Sequence, residues 1–416
     1  MRFVFLTSRF YPFGDANGIC VKNAADELIK RGHEVTVICE GNGSSDNVDG
    51  IETVFIKPTL IRRAENYKDD KGSLLFECLF KLFNMIRKII ITLAFVGKYP
   101  NVSPIRARKI YNTLKKIATT KKVDYIVGSF APYDCVEAVN IFKKKNKDIK
   151  TVITYFDLID GRNPFGSIFS GICSKLCFKS EKNTFMLNDA ILIPGNARDK
   201  YESEKYYFAK NKIRFFEFPL FVSDCKPEMD LKKGKNTDFE ILYAGSVDGN
   251  NRSASYFLQL AEILKRQYGV NIKVRFYGNF TDREVYSEYA TSDFVEFCGK
   301  IGADKVYELM CKADCLLNLS NAITYNMVPS KIFQMFSSCN RIINMIANKN
   351  DAAIEYFDKY PARLNIKEYE KNVKRDVCLL RDFIENPNIE TPDFDNIRDI
   401  YIRNTPERFV DLIMSE

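Results

Sequence analysis

ADCLLNLSNAITYNMVPSKIFQMFSSCNRII, residues Ala313–Ile343, is the stretch from which the fold is read. After a short polar lead-in, Ala313–Ser320 becomes an apolar run of the kind expected for a buried parallel strand. A polar loop follows. Pro329-Ser330-Lys331 then opens a segment with apolar residues at Ile332, Phe333, Met335 and Phe336, the spacing of a helix packed on a core. Proline suits a first helical turn, because its missing N–H would lack a partner there in any case. Ser330 offers a hydroxyl for capping or for an anion, and Lys331 places a positive charge beside backbone N–H groups. Strand, loop and helix start with a lysine make a receptor for a phosphate group. The plainer alternative is a helix start with a solvated lysine.

Outward from this stretch the second half alternates strand and helix. Phe239–Ala244 reads as a strand ending at Gly245-Ser246, with Arg252 just before a helix over Ser253–Arg266. A glycine at the end of a domain's first strand, and an arginine near the next helix start, suit an anionic ligand. Lys273–Tyr277 is a strand ending at Gly278-Asn279, and Phe294–Phe297 is a strand before Gly299. Asp304–Cys311 reads as a helix, Cys315–Asn318 as a strand, Ser330–Cys339 as a helix and Ile342–Met345 as a strand. A helix is expected over Lys367–Asn386, then a polar loop, then a closing helix over Ile397–Ile413.

The first half shows the same alternation. Arg2–Thr7 is a strand, Ile19–Arg31 a helix and Glu34–Cys39 a strand; Gly14 and Gly18 between them allow a tight turn and close approach of backbone to a ligand. Ile51–Lys57 is a strand and Ser103–Thr119 a helix. Tyr125–Ser129 is a strand, Pro132–Lys144 a helix and Thr151–Phe156 a strand. Asp157 follows that strand, where open α/β sheets place chemistry; it is a candidate for binding or activating an acceptor hydroxyl, or else a loop aspartate or helix cap. Ala190–Pro194 and Ile213–Phe218 are strands around a helix over Asn196–Tyr206. Val222–Asp238 breaks all periodicity and reads as a linker.

Composition fits this plan. The chain has 416 residues, enough for two domains, with 46% apolar and 28% charged residues and a net charge of +8. No long Lys/Arg block marks a nucleic-acid arm. Of its 12 cysteines, Cys173/Cys177 and Cys311/Cys315 stand four apart. A zinc site needs about four ligands, and the single histidine, His33, is distant in sequence, so buried free thiols in a reducing cytosol are expected and no metal. MRFVFLTSRFYP turns polar too soon for a signal peptide. Leu74–Val96 is strongly apolar, with Glu77, Lys81, Asn84 and Lys88 on one polar stripe. Its longest uncharged run, Ile89–Gly97, is far short of the ~20 residues a spanning helix needs. The segment is either a buried helix or one lying in a membrane interface, with Lys81, Arg87 and Lys88 near lipid phosphates.

PSKIFQMFSSCNRIINM resembles the donor-binding segment of glycosyltransferase family 4 enzymes with the GT-B fold, above all bacterial members that build cell-surface polysaccharides, where PSKIFEYMSxGKPII is usual. The flanking LLNLSN and DAAIEYFDKYP are similar to that subgroup too. Near the N-terminus, YPFGDANG and RGHEVTV resemble the family's YPP-x-GG and RGHEVTV, which makes His33 structural. Y-F-D-L at Tyr155–Leu158 resembles its Tyr-x-Asp-Pro. The resemblance implies that Pro329-Ser330-Lys331 meets a nucleotide diphosphate, that Gly18, Gly245 and Arg252 lie on the donor, and that the turns at Gly278-Asn279 and Gly299 lie near the base. The family's two glutamates, spaced E-x7-E, fall on Asn326 and Gln334. Gln334 can still hydrogen-bond a ribose hydroxyl, whereas Asn326 carries no charge for an electrostatic role. The family's Gly-Lys-Pro reads Cys339-Asn340-Arg341.

The expectation is therefore an α/β protein of GT-B type, with two Rossmann-like doubly wound domains facing across a cleft. The domains are 1–221, with the tail 396–416 returning to it, and 239–395, joined by 222–238. The implied function is a retaining, metal-independent hexosyltransferase that moves sugar from a nucleotide-diphosphate donor to a glycan or lipid-linked acceptor, in capsule or O-antigen synthesis. Catalytic candidates are Asp157 and Asn326; donor-binding candidates are Gly18, Gly245, Arg252, Gly278, Asn279, Ser330, Lys331 and Gln334. No cofactor is expected beyond the nucleotide sugar, no nucleic acid, and a cytoplasmic location with peripheral membrane contact through 74–96. Two other readings are a sugar-nucleotide epimerase of the same fold and a catalytically weak family member that binds partners in polysaccharide assembly. Asp393-Phe394-Asp395 matches the Asp-x-Asp of metal-dependent transferases of another fold, but falls in a loop after every strand and is taken as incidental.

Overall fold

The computed structural model describes residues 1–10, 16–41, 43–58, 103–130, 132–157, 159, 170–221, 238–325 and 328–415. Its strands are β1 (Arg2–Leu6), β2 (Glu34–Glu40), β3 (Ser45–Val48), β4 (Ile51–Ile56), β5 (Tyr125–Phe130), β6 (Lys150–Tyr155), β7 (Ala190–Pro194), β8 (Ile213–Phe216), β9 (Phe239–Ala244), β10 (Ile272–Tyr277), β11 (Val295–Gly299), β12 (Cys315–Leu319), β13 (Arg341–Ile346) and β14 (Arg363–Lys367). Its α-helices are α1 (Ala16–Lys30), α2 (Pro104–Thr120), α3 (Tyr133–Lys143), α4 (Ser170–Leu187), α5 (Arg198–Tyr201), α6 (Ser255–Tyr268), α7 (Arg283–Tyr289), α8 (Ala303–Lys312), α9 (Lys331–Ser337), α10 (Ile354–Lys359), α11 (Val373–Glu385), α12 (Phe394–Ile400) and α13 (Pro406–Met414). The chain divides into two compact units, Met1–Pro219 with Pro406–Glu416, and Leu220–Thr405.

In the first unit the strand order is β3-β4-β2-β1-β5-β6-β7-β8, parallel except for β3. Central strands of such a sheet are covered on both faces, which is why their sequences are unbroken apolar runs. One face packs Leu114 of α2, Val136 and Val139 of α3 and Phe185 of α4 into a single core. The closing helix α13 belongs to this unit, where Arg31 donates to Asp411 at 2.7 Å and Phe409 meets the Phe216 ring at 5.1 Å.

The second unit is all parallel, ordered β11-β10-β9-β12-β13-β14. Its chain starts at the centre in β9, moves outward to β11, then crosses back to β12 and runs out to β14. That reversal makes a doubly wound sheet with its switch point between β9 and β12. The first unit reverses in the same way, between β1 and β5. Both domains are Rossmann-like.

Several elements differ from the sequence reading. Asp49-Gly50, both with positive φ (48° and 81°), turn β3 back on β4 in an unforeseen hairpin. The expected helix over Asn196–Tyr206 is broken into α5 between two 3-10 turns. β14 ends on Lys367, the first residue of the expected Lys367–Asn386 helix; a 3-10 turn over Glu368–Glu370 follows, and α11 begins only after Asn372, whose side chain caps Arg375 N at 3.1 Å. The closing segment is two helices, because Pro406 starts a new one. Cys173, Cys177 and Cys315 are buried, and Cys311 is half-buried.

The Asp-x-Asp pair has a structural use. Asp393 Oδ2 accepts the backbone N–H groups of Asp395 and Asn396, each at 3.1 Å, and caps α12. Asp393→Ala is expected to remove about 1 kcal/mol of stability in urea unfolding, as loss of an N-cap does, and to leave ligand affinity unchanged. A loss of nucleotide binding in that variant would contradict the capping role.

Candidate functional site

The loop after β9 is built on Asp248. Its Oδ1 accepts the N–H groups of Asn250 (3.0 Å), Asn251 (2.7 Å) and Arg252 (3.1 Å). Burial disfavours this carboxylate, but the three donors outweigh burial and lower its pKa. The loop closes through Arg252 O, which takes N–H groups from Asp248 (3.2 Å) and Gly249 (3.0 Å).

Asn251 then clasps the loop after β12. Its Oδ1 accepts Ile323 N (2.8 Å) and Thr324 N (3.1 Å), and its Nδ2 donates to Thr324 Oγ1 at 3.1 Å. Asn251 O accepts Ala322 N at 2.8 Å. Arg252 Nε donates to Asn321 Oδ1 at 2.7 Å, which fixes the guanidinium between the two loops. These are the loops that flank the switch point. Arg252 was a candidate from sequence; Asn251, Asn321 and Thr324 were not, because their pairing spans about seventy residues and has no local signal.

Lys331, the first residue of α9, reaches across the same place. Its Nζ donates to Ala244 O at 3.2 Å, at the end of β9. Burial of the ammonium lowers its pKa, and the charge of Arg252 lowers it further. Two cations thus share one crevice. Ser330 precedes the helix and makes no capping hydrogen bond, so of the two uses foreseen for its hydroxyl the cap is not taken. Gln334, half-buried, stands one turn beyond Lys331 on the same helix face.

Gly245 and Gly278 pack against each other. Gly278 has φ 132°, and a Cβ there would collide with Gly245 O. Gly245 N donates to Tyr277 O at 2.8 Å and Val247 N to Asn279 O at 2.9 Å, so the turns after β9 and β10 are tied together. The physical demand for glycine at position 278 is this backbone contact; Asn279 beside it is exposed.

The first unit holds two more candidates. α1 begins at Ala16, three residues before the expected Ile19, so Gly18 is buried in its first turn, and a Cβ there would stand 2.6 Å from Arg9 O. Asp157 is half-buried two residues past β6. His33 lies at the amino end of β2, its ring 5.4 Å from that of Phe3, with its pKa lowered by burial and then by the N-terminal and Arg31 charges. Asn326, Gly14, most of the expected linker and the whole of Leu74–Val96 lie outside the described residues. Among the described residues no helix is long and apolar enough to cross a membrane.

No protein-family model and no curated protein matches this sequence. Solved structures match its fold over nearly the whole length. Sucrose-phosphate synthase from Thermosynechococcus elongatus is similar with a TM-score of 0.56 at 10% identity, over 98% of this chain and 96% of that one. The fold is GT-B. The lipopolysaccharide outer core galactosyltransferase WaaB is similar at TM-score 0.55 and 13% identity, over 100% and 99% of the two chains. An alpha-glucosyltransferase in complex with UDP and a mismatched 13-mer DNA gives 0.53 at 10% identity over 100% of both.

Proposed function

We propose that this GT-B protein is a glycosyltransferase of the family 4 kind, moving sugar with retention from a nucleotide-diphosphate donor to a glycan or lipid-linked acceptor in bacterial surface polysaccharide synthesis. The observation that carries this reading is the convergence of Arg252 and Lys331 on the switch point of the second sheet. Open α/β sheets bind ligands there, and two fixed cations suit the diphosphate on which negative charge develops as the sugar departs. The resemblance of PSKIFQMFSSCNRIINM to the donor-binding segment supports the same assignment. So do the sugar transferases among its structural neighbours, one of which holds UDP.

In this reading Lys331, Ser330, Arg252 and the turn at Gly245 hold the diphosphate, Gln334 hydrogen-bonds the ribose, and Gly278-Asn279 border the base. Asn326 stands where the family has its first glutamate. Asp157 orients or activates the acceptor hydroxyl, and Gly18 lets the N-terminal loop close on its helix. Transfer needs no metal and no cofactor beyond the nucleotide sugar. The protein works in the cytoplasm, and 74–96 meets the membrane surface.

A second reading has specific support. Amides at Asn326 and Gln334 replace two carboxylates of the family pattern, which favours a binding partner in polysaccharide assembly with little turnover. Incubation with labelled UDP-, GDP- and ADP-sugars separates the two. Transfer or slow hydrolysis, with the anomeric configuration of the product kept in its proton NMR spectrum, is the expected result. Binding without any turnover would establish the partner reading instead.

A further inference from the structure

A row of side-chain amides crosses half of the second sheet. Asn318 on β12 is in register with Asn344 on β13, and Asn344 with Asn365 on β14. Asn318 Nδ2 donates to Asn344 Oδ1 at 2.8 Å, and Asn344 Nδ2 donates to Asn365 Oδ1 at 3.0 Å. Asn365 Nδ2 donates to Asp358 Oδ1 at 2.9 Å.

The last contact fixes the direction of the whole row. A carboxylate only accepts, so Asn365 must turn its NH2 group to Asp358 and offer its oxygen to Asn344. Asn344 must then offer its oxygen to Asn318. With its Nδ2 given to β13, Asn318 has its Oδ1 left to accept from elsewhere, and the strand on its other side is β9. Asn318 and Asn344 are 8% and 2% exposed, so water does not readily replace a reversed amide. The neighbour on that side is the end of β9, where Ala244 O holds Lys331.

We propose that Asn318 is a specificity-determining residue of the switch-point crevice, whose Oδ1 accepts a hydroxyl group of the bound nucleotide sugar. The inference rests on the nucleotide-sugar reading of this site. Diphosphate oxygens only accept, so an amide oxygen repels them and leaves them to Arg252 and Lys331. A sugar or ribose hydroxyl donates, and an acceptor of fixed orientation selects it. Asp358, at the far end of the row, is a positioning residue that acts through three amides.

The test reverses the row from its exposed end. Asp358→Lys presents only donors, so each amide turns over and Asn318 faces the crevice with NH2; Asp358→Glu keeps an acceptor. Side-chain amide exchange, followed by NMR in ligand-free protein, should find the Asn318 NH2 protected in wild type and Asp358→Glu and fast-exchanging in Asp358→Lys. Calorimetry with a nucleotide-sugar panel should show Asp358→Lys binding roughly five- to tenfold more weakly, the worth of one hydrogen bond, with Asp358→Glu like wild type. The difference should vanish for the deoxy analogue that lacks the recognised hydroxyl. Reversed amides with unchanged affinity would overturn the hydroxyl recognition. An equal loss for every analogue would do so too, pointing to the Lys331 ammonium as the partner of Oδ1. Unchanged exchange would overturn the polarity argument. Wild-type protein that binds no nucleotide sugar would instead overturn the functional reading and the hydroxyl assignment with it, while the exchange result still decides the polarity of the row.

Discussion

Lys331→Ala is expected to lower sugar transfer about a hundredfold or more, while stability in urea stays within roughly 0.5 kcal/mol of wild type. The Lys331 side chain is largely exposed and only its ammonium end is desolvated, where Nζ donates to Ala244 O, so little packing is lost with it. Its charge is another matter. Burial, and after it the Arg252 guanidinium, lower the pKa of the ammonium in the folded protein. The folded state therefore holds this proton less tightly than the unfolded chain does, and removing the group takes away no stabilising charge. A bound diphosphate reverses the balance, because an anion beside Lys331 favours the protonated form. Affinity should accordingly fall as pH rises through a pKa that lies below the ordinary lysine value of 10.5. In Lys331→Arg that alkaline limb should disappear from the accessible range, since arginine stays charged. Transfer and pH-dependent binding measured on the two variants check both parts; wild-type rates in Lys331→Ala would remove the lysine from the site.

Gly278→Ala is expected to be the most damaging single methyl group in the second domain, with a loss of about 2–4 kcal/mol in urea unfolding. Two penalties add. A φ of 132° is a conformation that side chains rarely adopt, and the new Cβ collides with Gly245 O. The obstacle is backbone, so it cannot swing aside, and relief requires the turns after β9 and β10 to part. Those turns are held by Gly245 N to Tyr277 O and Val247 N to Asn279 O, next to the carbonyl that receives Lys331. Donor affinity should fall together with stability. Gly269→Ala is the control: φ is 68°, but nothing lies within 4 Å of a Cβ, so only the conformational penalty of about 1 kcal/mol applies. Equal losses at the two positions would contradict the packing argument.

The parts of the fold that could be read from sequence are those where burial dictates residue type over a continuous run. β1, β9 and β12 are apolar through their centres because helices cover both faces of the sheet, and such runs are visible without any alignment. The β3–β4 hairpin was missed because SDNV is a polar edge strand with an exposed, half-buried pattern; the Asp49-Gly50 turn was its one signal. β14 was missed although RLNIK alternates polar and apolar residues as a half-buried strand does, because it spans only five residues and runs on into charged sequence. Lys331 and Arg252 were legible because a cation at a strand–loop–helix junction has a local meaning. The Asn251 clasp and the Asn318–Asn344–Asn365 row were not, since both depend on which loops and strands become neighbours. Gly278 was noticed for closeness to a ligand, yet the contact that forbids a side chain there is with Gly245.

In the proposed function the crevice between β9 and β12 binds a nucleotide diphosphate through Lys331 and Arg252. A thermal-shift panel of UDP, GDP, ADP and CMP with their common sugar conjugates, run on wild type and Lys331→Ala, tests it most directly. At about a hundred times its dissociation constant a ligand adds roughly 2.7 kcal/mol to apparent stability, a shift that a melt resolves. The expected result is stabilisation by one nucleoside diphosphate and its sugar conjugates, lost in Lys331→Ala. No shift with any of them, or a shift that survives removal of Lys331, would contradict the claim.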